Sequence, residues 1–217
     1  CTFTKNGNTT GANSITADLI TFTLDAGQTF VLEAALTGET AATSPNNQGW
    51  LGATISSNKK IAVNQGHMGL SVADGGQDMS MTQITPTSNI GKEYAFIRGN
   101  GADQAEFPII IATENNTAVY VNGETTPYAT LNNGEWVQIP SSKYSQSGSQ
   151  SPGANMYVEA SKNVYAFQTI DAVNGANGTA QMDVFLVAPL NCLLDNGVNK
   201  IPSIIKTGRT GSDLSNI

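Results

Sequence analysis

The chain has 217 residues, only 12% of them charged, and its 17 acidic and 10 basic side chains leave a net charge of −7. Globular proteins average about 25% charged residues, so this composition, rich in Gly, Asn, Ser and Thr, points to turn-rich extracellular β-structure. No basic cluster exceeds Lys59-Lys60, and the apolar runs Phe107 to Ala112 and Val184 to Leu190 fall far short of the ~20 residues of a bilayer span, which argues against nucleic acid, anionic membrane surfaces and membrane insertion.

In chain order, short segments rich in β-branched and aromatic residues alternate with turn signals, and they predict strands at 2–6, 18–24, 28–33, 51–56, 60–66, 78–85, 92–98, 107–113, 117–122, 127–131, 135–139, 155–160, 163–170 and 181–188. No segment carries a helical period. Asn122-Gly123 and Asn132-Asn133-Gly134 suit positive φ and predict hairpins, and Ser161-Lys162-Asn163 is expected to join its two strands tightly. Val164 and Ala166 alternate with Tyr165 and Phe167, so that strand is apolar on both faces and is expected to be covered on both.

The sequence repeats itself. Ser57 to Gln65 followed by Met79 to Pro86 answers Ala160 to Gln168 followed by Met182 to Pro189, at a constant separation of 103 residues (Lys59 to Lys162, Gln65 to Gln168, Pro86 to Pro189). Upstream, Leu24 to Gln28 answers Leu131 to Glu135 at a separation of 107, and Phe3 to Thr10 resembles Val119 to Thr126 at 116. These relations divide the chain into a first β repeat at 1–90 that begins inside a module, a second at 91–190, and a connector at 191–217 into a following module. The fold expected is all-β: tandem antiparallel β-meander modules, arranged as propeller-like blades or as two β-sandwich domains. Phe185, Leu186 and Val187 stand where the first copy has Thr82, Gln83 and Ile84. The second copy is therefore expected to be the covered strand, with Phe185→Ala severe and Thr82→Ala mild.

Three stretches carry a resemblance to a known family: Ile109 to Gly123, Leu131 to Glu135, and Tyr157 to Gln168. They resemble the N-terminal region of IgGFc-binding proteins, a family of mucus glycoproteins and of very large bacterial surface proteins, notably adhesins and gliding-motility proteins of Bacteroidota. The resemblance covers residues 90–205 well and the first half through the repeat; Asn191-Cys192-Leu193 and Lys200 to Ile204 also look like a family segment. It implies a piece of a long extracellular protein. It supplies no residue motif for immunoglobulin binding.

Catalytic and metal chemistry find little support in the residues. His67 is the sole histidine, placed in a loop after a strand, and Ile170 matches it in the second repeat. One His and two distant Cys, Cys1 and Cys192, cannot form a tetrahedral zinc site, and their pairing as a disulfide is left open. Asp74 to Asp78 and Asp195 to Asn199 put oxygen donors in Gly-containing loops without the EF-hand spacing. Glu33, Asp78, Glu135, Glu159 and Asp183 are the carboxylates from which a glycosidase pair would be drawn, Glu159 and Asp183 lying on strands. Trp50, Trp136, Tyr128, Tyr144 and Tyr157 are the aromatics able to stack on sugars, with Trp136 read as core and Trp50, between Gly49 and Gly52, as the freer one. Sequons at Asn8, Asn115 and Asn177 are those an Asn- and Thr-rich sequence produces by chance. A lipid-modified Cys1 is disfavoured because a strand-like segment follows at once.

No catalytic, cofactor-binding or metal residue is therefore assigned, and no cofactor. The expected function is a non-catalytic module of a cell-surface protein serving adhesion or surface-filament structure, with gliding motility as a setting. Its expected partners are a cell-surface glycan or protein and further modules of the same chain. The alternative is a secreted carbohydrate-binding or glycan-degrading domain.

Overall fold

The computed structural model describes residues 1–4, 19–32, 50–70, 78–99, 101, 103, 105–145, 153–171 and 182–190. In chain order they form β1 (Thr2–Thr4), β2 (Leu19–Thr21), β3 (Thr54–Ser56), β4 (Val63–Leu70), β5 (Asp78–Ile84), β6 (Gly91–Ile97), β7 (Pro108–Ala112), β8 (Thr117–Val121), β9 (Ala129–Leu131), β10 (Trp136–Gln138), β11 (Asn155–Asp171) and β12 (Met182–Leu186). Short 3₁₀ turns at Thr87–Asn89 and Ser141–Lys143 each follow a proline, whose fixed φ suits the entry to a turn. Every strand pairing is antiparallel, as expected from the sequence.

The largest sheet is folded about β11. β7 and β8 succeed one another along one edge of it, pairing at Val164 to Gln168 and at Val158 to Ala160. Beyond them β10 pairs with β7 and β9 with β8, while β6 and β12 share the other edge of β11. β11 shifts register between Glu159 and Val164, and the sheet is a nearly closed barrel. Alternate residues face inward and form the core: Tyr94 and Phe96 of β6, Val119 and Val121 of β8, Met156 and Val158 of β11. The Tyr94 hydroxyl donates to Val164 O at 2.6 Å and accepts from Gly91 N at 3.0 Å, so the core is not made polar at a cost.

The first half reproduces parts of this plan. The order β2-β1-β3 matches β9-β8-β11. The ribbon β4–β5 pairs Asn64 with Gln83, Gln65 with Thr82, Gly66 with Met81 and His67 with Ser80. Moved on by 103 residues, these become the pairs Phe167–Leu186, Gln168–Phe185, Thr169–Val184 and Ile170–Asp183 of β11 and β12. The two copies also touch at equivalent positions, where Ser80 Oγ donates to Asp183 Oδ1 at 2.7 Å.

Several expectations need correction. Residues 28–32 form no strand. Ser161-Lys162-Asn163 is not a hairpin turn: β11 runs through it unbroken, with only a register shift between Glu159 and Val164. A polar tripeptide reads as a turn when its partners are invisible, and here they are Ala118 N, Asn115 O and the Thr113 hydroxyl of a neighbouring ribbon. Local hairpins do form at β4–β5, β8–β9 and β11–β12, but β6 and β7 pair with distant β11. Because β11 carries β7, β8, β6 and β12 together, these strands form one nearly closed barrel-like sheet rather than separate blades. Phe185 is 36% exposed and Thr82 half-buried, so the expected contrast between them fails. β12 has β11 on one edge and β5 beyond, yet a neighbour along an edge does not cover a strand's face. The connector at 191–217 lies outside the described residues.

Candidate binding surface

The alternation that sends Tyr94, Phe96, Met156 and Val158 inward turns Glu93, Ala95, Ile97, Asn155, Tyr157 and Glu159 outward. Register aligns Glu93 of β6, Glu159 of β11 and Tyr120 of β8 in one row, with Ala95 and Tyr157 in the next and Ile97 beside Asn155 in the third. Directly opposed like charges on neighbouring strands destabilise a sheet. The Glu93–Glu159 pair is therefore an expense that folding does not explain. Tyr157 stands in the row beside them and its pKa is raised, first by partial desolvation, then by the charges of Glu93 and Glu159, with a hydrogen bond to Glu93 adding to it. Its backbone is pinned as well, since Tyr157 N donates to Asn122 Oδ1 at 3.0 Å and Asn122 N donates to Tyr157 O at 2.8 Å. The face thus combines a fixed phenol, exposed Ile97 and two carboxylates.

The three stretches that carry the family resemblance converge elsewhere, at the corner where the ribbons bend. Ala118 N donates to Ser161 Oγ at 2.9 Å and Thr113 Oγ1 to Asn163 O at 2.7 Å. Lys162 Nζ donates to Asn115 O at 2.6 Å, and Asn133 N to Asn115 Oδ1 at 3.0 Å. Asn132 N donates to Glu135 Oε2 at 2.7 Å, closing a turn in which Gly134 takes φ 82°. Gly134 N then donates to Ala112 O and Ala112 N to Glu135 O, at 2.8 and 2.9 Å. These polar residues satisfy one another. The motifs are corner-turning devices, and the sequon residue Asn115 is part of them.

The other sequence candidates scatter. Trp50 packs against Phe3 with ring centroids 5.2 Å apart, and its indole N–H is buried, whereas Trp136 is 46% exposed on β10. The reading of Trp50 as free and Trp136 as core is therefore reversed: Trp136 belongs to the outer row with Ile111 and Tyr165. Tyr144 is buried, and Tyr128 lies under Lys143 Nζ at 5.7 Å from its ring. Glu159 and Asp183 are not brought together, being on opposite arms of the bent β11–β12 ribbon; Asp183 is opposite Ile170 and bonded to Ser80. Glu135 is spent on its own turn. His67 is in β4, opposite Ser80, rather than in a loop. Asp78 begins β5; Glu33, Asp74, residues 195–199, Cys192, Asn8 and Asn177 lie outside the described residues. Cys1 Sγ stands 3.5 Å from Ser57 Oγ.

One cluster escaped the sequence reading. Glu106 is fully buried and accepts from Gly99 N at 2.9 Å and Gly101 N at 3.0 Å, while Arg98 donates to Gly101 O and Asp103 Oδ1. Tyr144 lies near both charges, its pKa pushed up by burial and by Glu106, with Arg98 opposing. These bonds tie the described residues of the 98–106 connection to one another. Among the described residues no group of three or more His, Cys, Asp and Glu could hold a metal ion, and no helix is long and apolar enough to cross a membrane.

A family model described as IgGFc binding protein matches residues 1–210. No curated protein and no solved structure matches the chain.

Proposed function

The chain belongs to the IgGFc-binding protein family, matched over residues 1–210, and from that membership we propose a non-catalytic extracellular module that binds a protein ligand through the outer face of β6, β11 and β8. The observation that carries the reading is the opposed pair Glu93–Glu159 with Tyr157 and exposed Ile97 beside it. Proteins tend to break a rule of sheet stability locally at functional sites. Tyrosine is a favoured anchor at protein interfaces, and two carboxylates of like charge beside it favour a Lys- or Arg-bearing partner. The net charge of −7 steers such a partner in the same sense.

The test is surface plasmon resonance of the chain against secreted and surface proteins, the Fc fragment of immunoglobulin G among them, with soluble polysaccharides in parallel. Saturable binding to a protein that weakens at least tenfold in both Tyr157→Ala and Glu159→Lys supports the reading. Binding that ignores both variants removes this face from the account, and cleavage of any polysaccharide would refute the non-catalytic assignment.

We extend the reading to a large surface protein that serves adhesion or surface-filament structure, in a setting such as gliding motility. Further copies of the Tyr-Val-Glu-Ala-Ser-Lys pattern in the parent gene are the expected finding; a compact parent without them would count against it. Exposed Trp136 favours the second reading, a carbohydrate-binding module, in which Trp136→Ala abolishes polysaccharide binding and leaves protein binding intact.

A further inference from the structure

The turn that closes β8 places a reactive pair of residues opposite Tyr157. Asn122 takes φ 54° and Gly123 φ 75°, and Glu124 N donates to Val121 O at 3.1 Å, the geometry of a tight hairpin turn for which Asn-Gly is the favoured pair. The register that sets Val121 opposite Val158 continues to Asn122 and Tyr157. A hydrogen-bonded antiparallel pair exchanges two main-chain bonds. Asn122 N supplies one of them to Tyr157 O at 2.8 Å, but the chain turns away at Asn122, and Tyr157 N donates to the side-chain Oδ1 in place of the main-chain carbonyl, at 3.0 Å. The other end of the same amide is held too, Nδ2 donating to Lys143 O at 2.7 Å. A donor on one side and a carbonyl on the other fix which atom of the amide is oxygen and which is nitrogen.

An Asn side chain loses its amide when the next main-chain nitrogen attacks Cγ, and a following Gly, without a Cβ, hinders that approach least. Gly123 is exposed, nothing stands within 4 Å of the place a Cβ would take, and its N–H has no hydrogen bond among the described residues. Asn133-Gly134 differs, because Gly134 N is engaged by Ala112 O at 2.8 Å. At Asn122 the restraint is on the amide instead: Cγ cannot swing toward Gly123 N while Oδ1 and Nδ2 are both bonded.

We propose that Asn122 is a modification site, a deamidation switch that the fold guards and whose conversion releases Tyr157. Gly123 N gives up its proton to a base in the solvent and attacks Asn122 Cγ; the Cγ–Nδ2 bond breaks, and Nδ2 takes up a proton and leaves as ammonia, closing a cyclic imide. Water then opens the imide at either carbonyl, to aspartate or to an isoaspartyl linkage. The sum is amide plus water giving acid plus ammonia, with nothing oxidised or reduced. The isoaspartyl product adds a methylene to the main chain, so the two bonds to Tyr157 no longer fit together. Either product replaces the donor to Lys143 O by an oxygen and puts a new negative charge in the row next to Glu93 and Glu159. Loss of the anchor of the binding face rests on the reading proposed above; the chemistry at Asn122 does not.

The experiment ages the full chain at mildly alkaline pH beside a peptide of residues 119–126, follows conversion at Asn122 by fragment mass spectrometry, and reads amide exchange at Tyr157 in the separated forms. Expected are conversion at least tenfold slower in the folded chain than in the peptide, and exchange at Tyr157 at least tenfold faster in the isoaspartyl form. Asn122→Gly, which keeps the positive φ and lacks the amide, should show the same faster exchange with its far-UV circular dichroism retained; Asn122→Asp, which keeps an Oδ1, should restore most of the protection. Conversion of the folded chain at the peptide's rate, or exchange at Tyr157 unchanged in the isoaspartyl form and in Asn122→Gly, overturns the proposal. Exchange needs no partner, so a failure of the binding reading is seen separately: an isoaspartyl form with fast Tyr157 exchange that binds the Fc fragment of immunoglobulin G as well as the parent chain does would remove Tyr157 from the binding account and leave the switch standing.

Discussion

Phe96 and Phe185 are the same side chain in two environments, one fully buried in the core and one 36% exposed on β12. Truncating a fully buried Phe costs about 3–5 kcal/mol, so Phe96→Ala should shift the urea midpoint by most of the protein's stability range, while Phe185→Ala should cost less than about 1.5 kcal/mol; equal shifts would refute the packing described. Burial also raises the pKa of Tyr94, Tyr144 and Tyr165. A raised tyrosine pKa means the unfolded chain releases its proton first, so this stability is fully present below the unfolded value of about 10 and is lost as pH climbs above it. Denaturant midpoints should be flat from pH 7 to 9 and fall beyond 10. Tyr144 Oη has no hydrogen-bond partner among the described residues, so Tyr144→Phe should be neutral or stabilising by up to about 1 kcal/mol and should flatten the alkaline fall.

At the scale of elements, the corner decides how a flat ribbon becomes a barrel. Residues 161–163 stay in β11 because Ser161, Asn163 and Lys162 each engage a different point of the 113–118 segment. Removing one such bond costs about 0.5–1.5 kcal/mol, and Ser161→Ala should lose that much without changing the denaturant slope. A changed slope would mean that the bend itself had opened, exposing more surface. Lys162→Met, which keeps the apolar stem, should cost less, because the head group is exposed and its ion pair with Glu114 is long at 3.9 Å.

At the scale of the whole molecule, the two repeats meet through equivalent strands. Ser80 Oγ donates to Asp183 Oδ1 and receives Val184 N at 3.2 Å, and Tyr165 Oη donates to Thr85 O at 2.7 Å, so the first copy is fastened to the second at two points. Hydrogen bonds to a charged acceptor are worth about 1.5–3 kcal/mol. A double-mutant cycle of Ser80→Ala and Asp183→Ala should report a coupling of about 1 kcal/mol or more. Additive losses would show that β5 and β12 hold together by packing alone.

The sequence by itself determined what is local or repeated: the β character, most strand positions, the positive-φ turns at Asn122-Gly123 and Gly134, and the 103-residue register later seen in the pairing of β4–β5 and β11–β12. Alternation and turn chemistry act over a few residues, and a repeat is visible without knowing what it packs against. Only the tertiary structure decided that 161–163 continues a strand, that residues 28–32 do not form one, that Trp136 rather than Trp50 is exposed, and that Glu93 faces Glu159. Each of these depends on a partner distant in sequence, and an isolated segment carries no record of whether its edge is paired or its face covered.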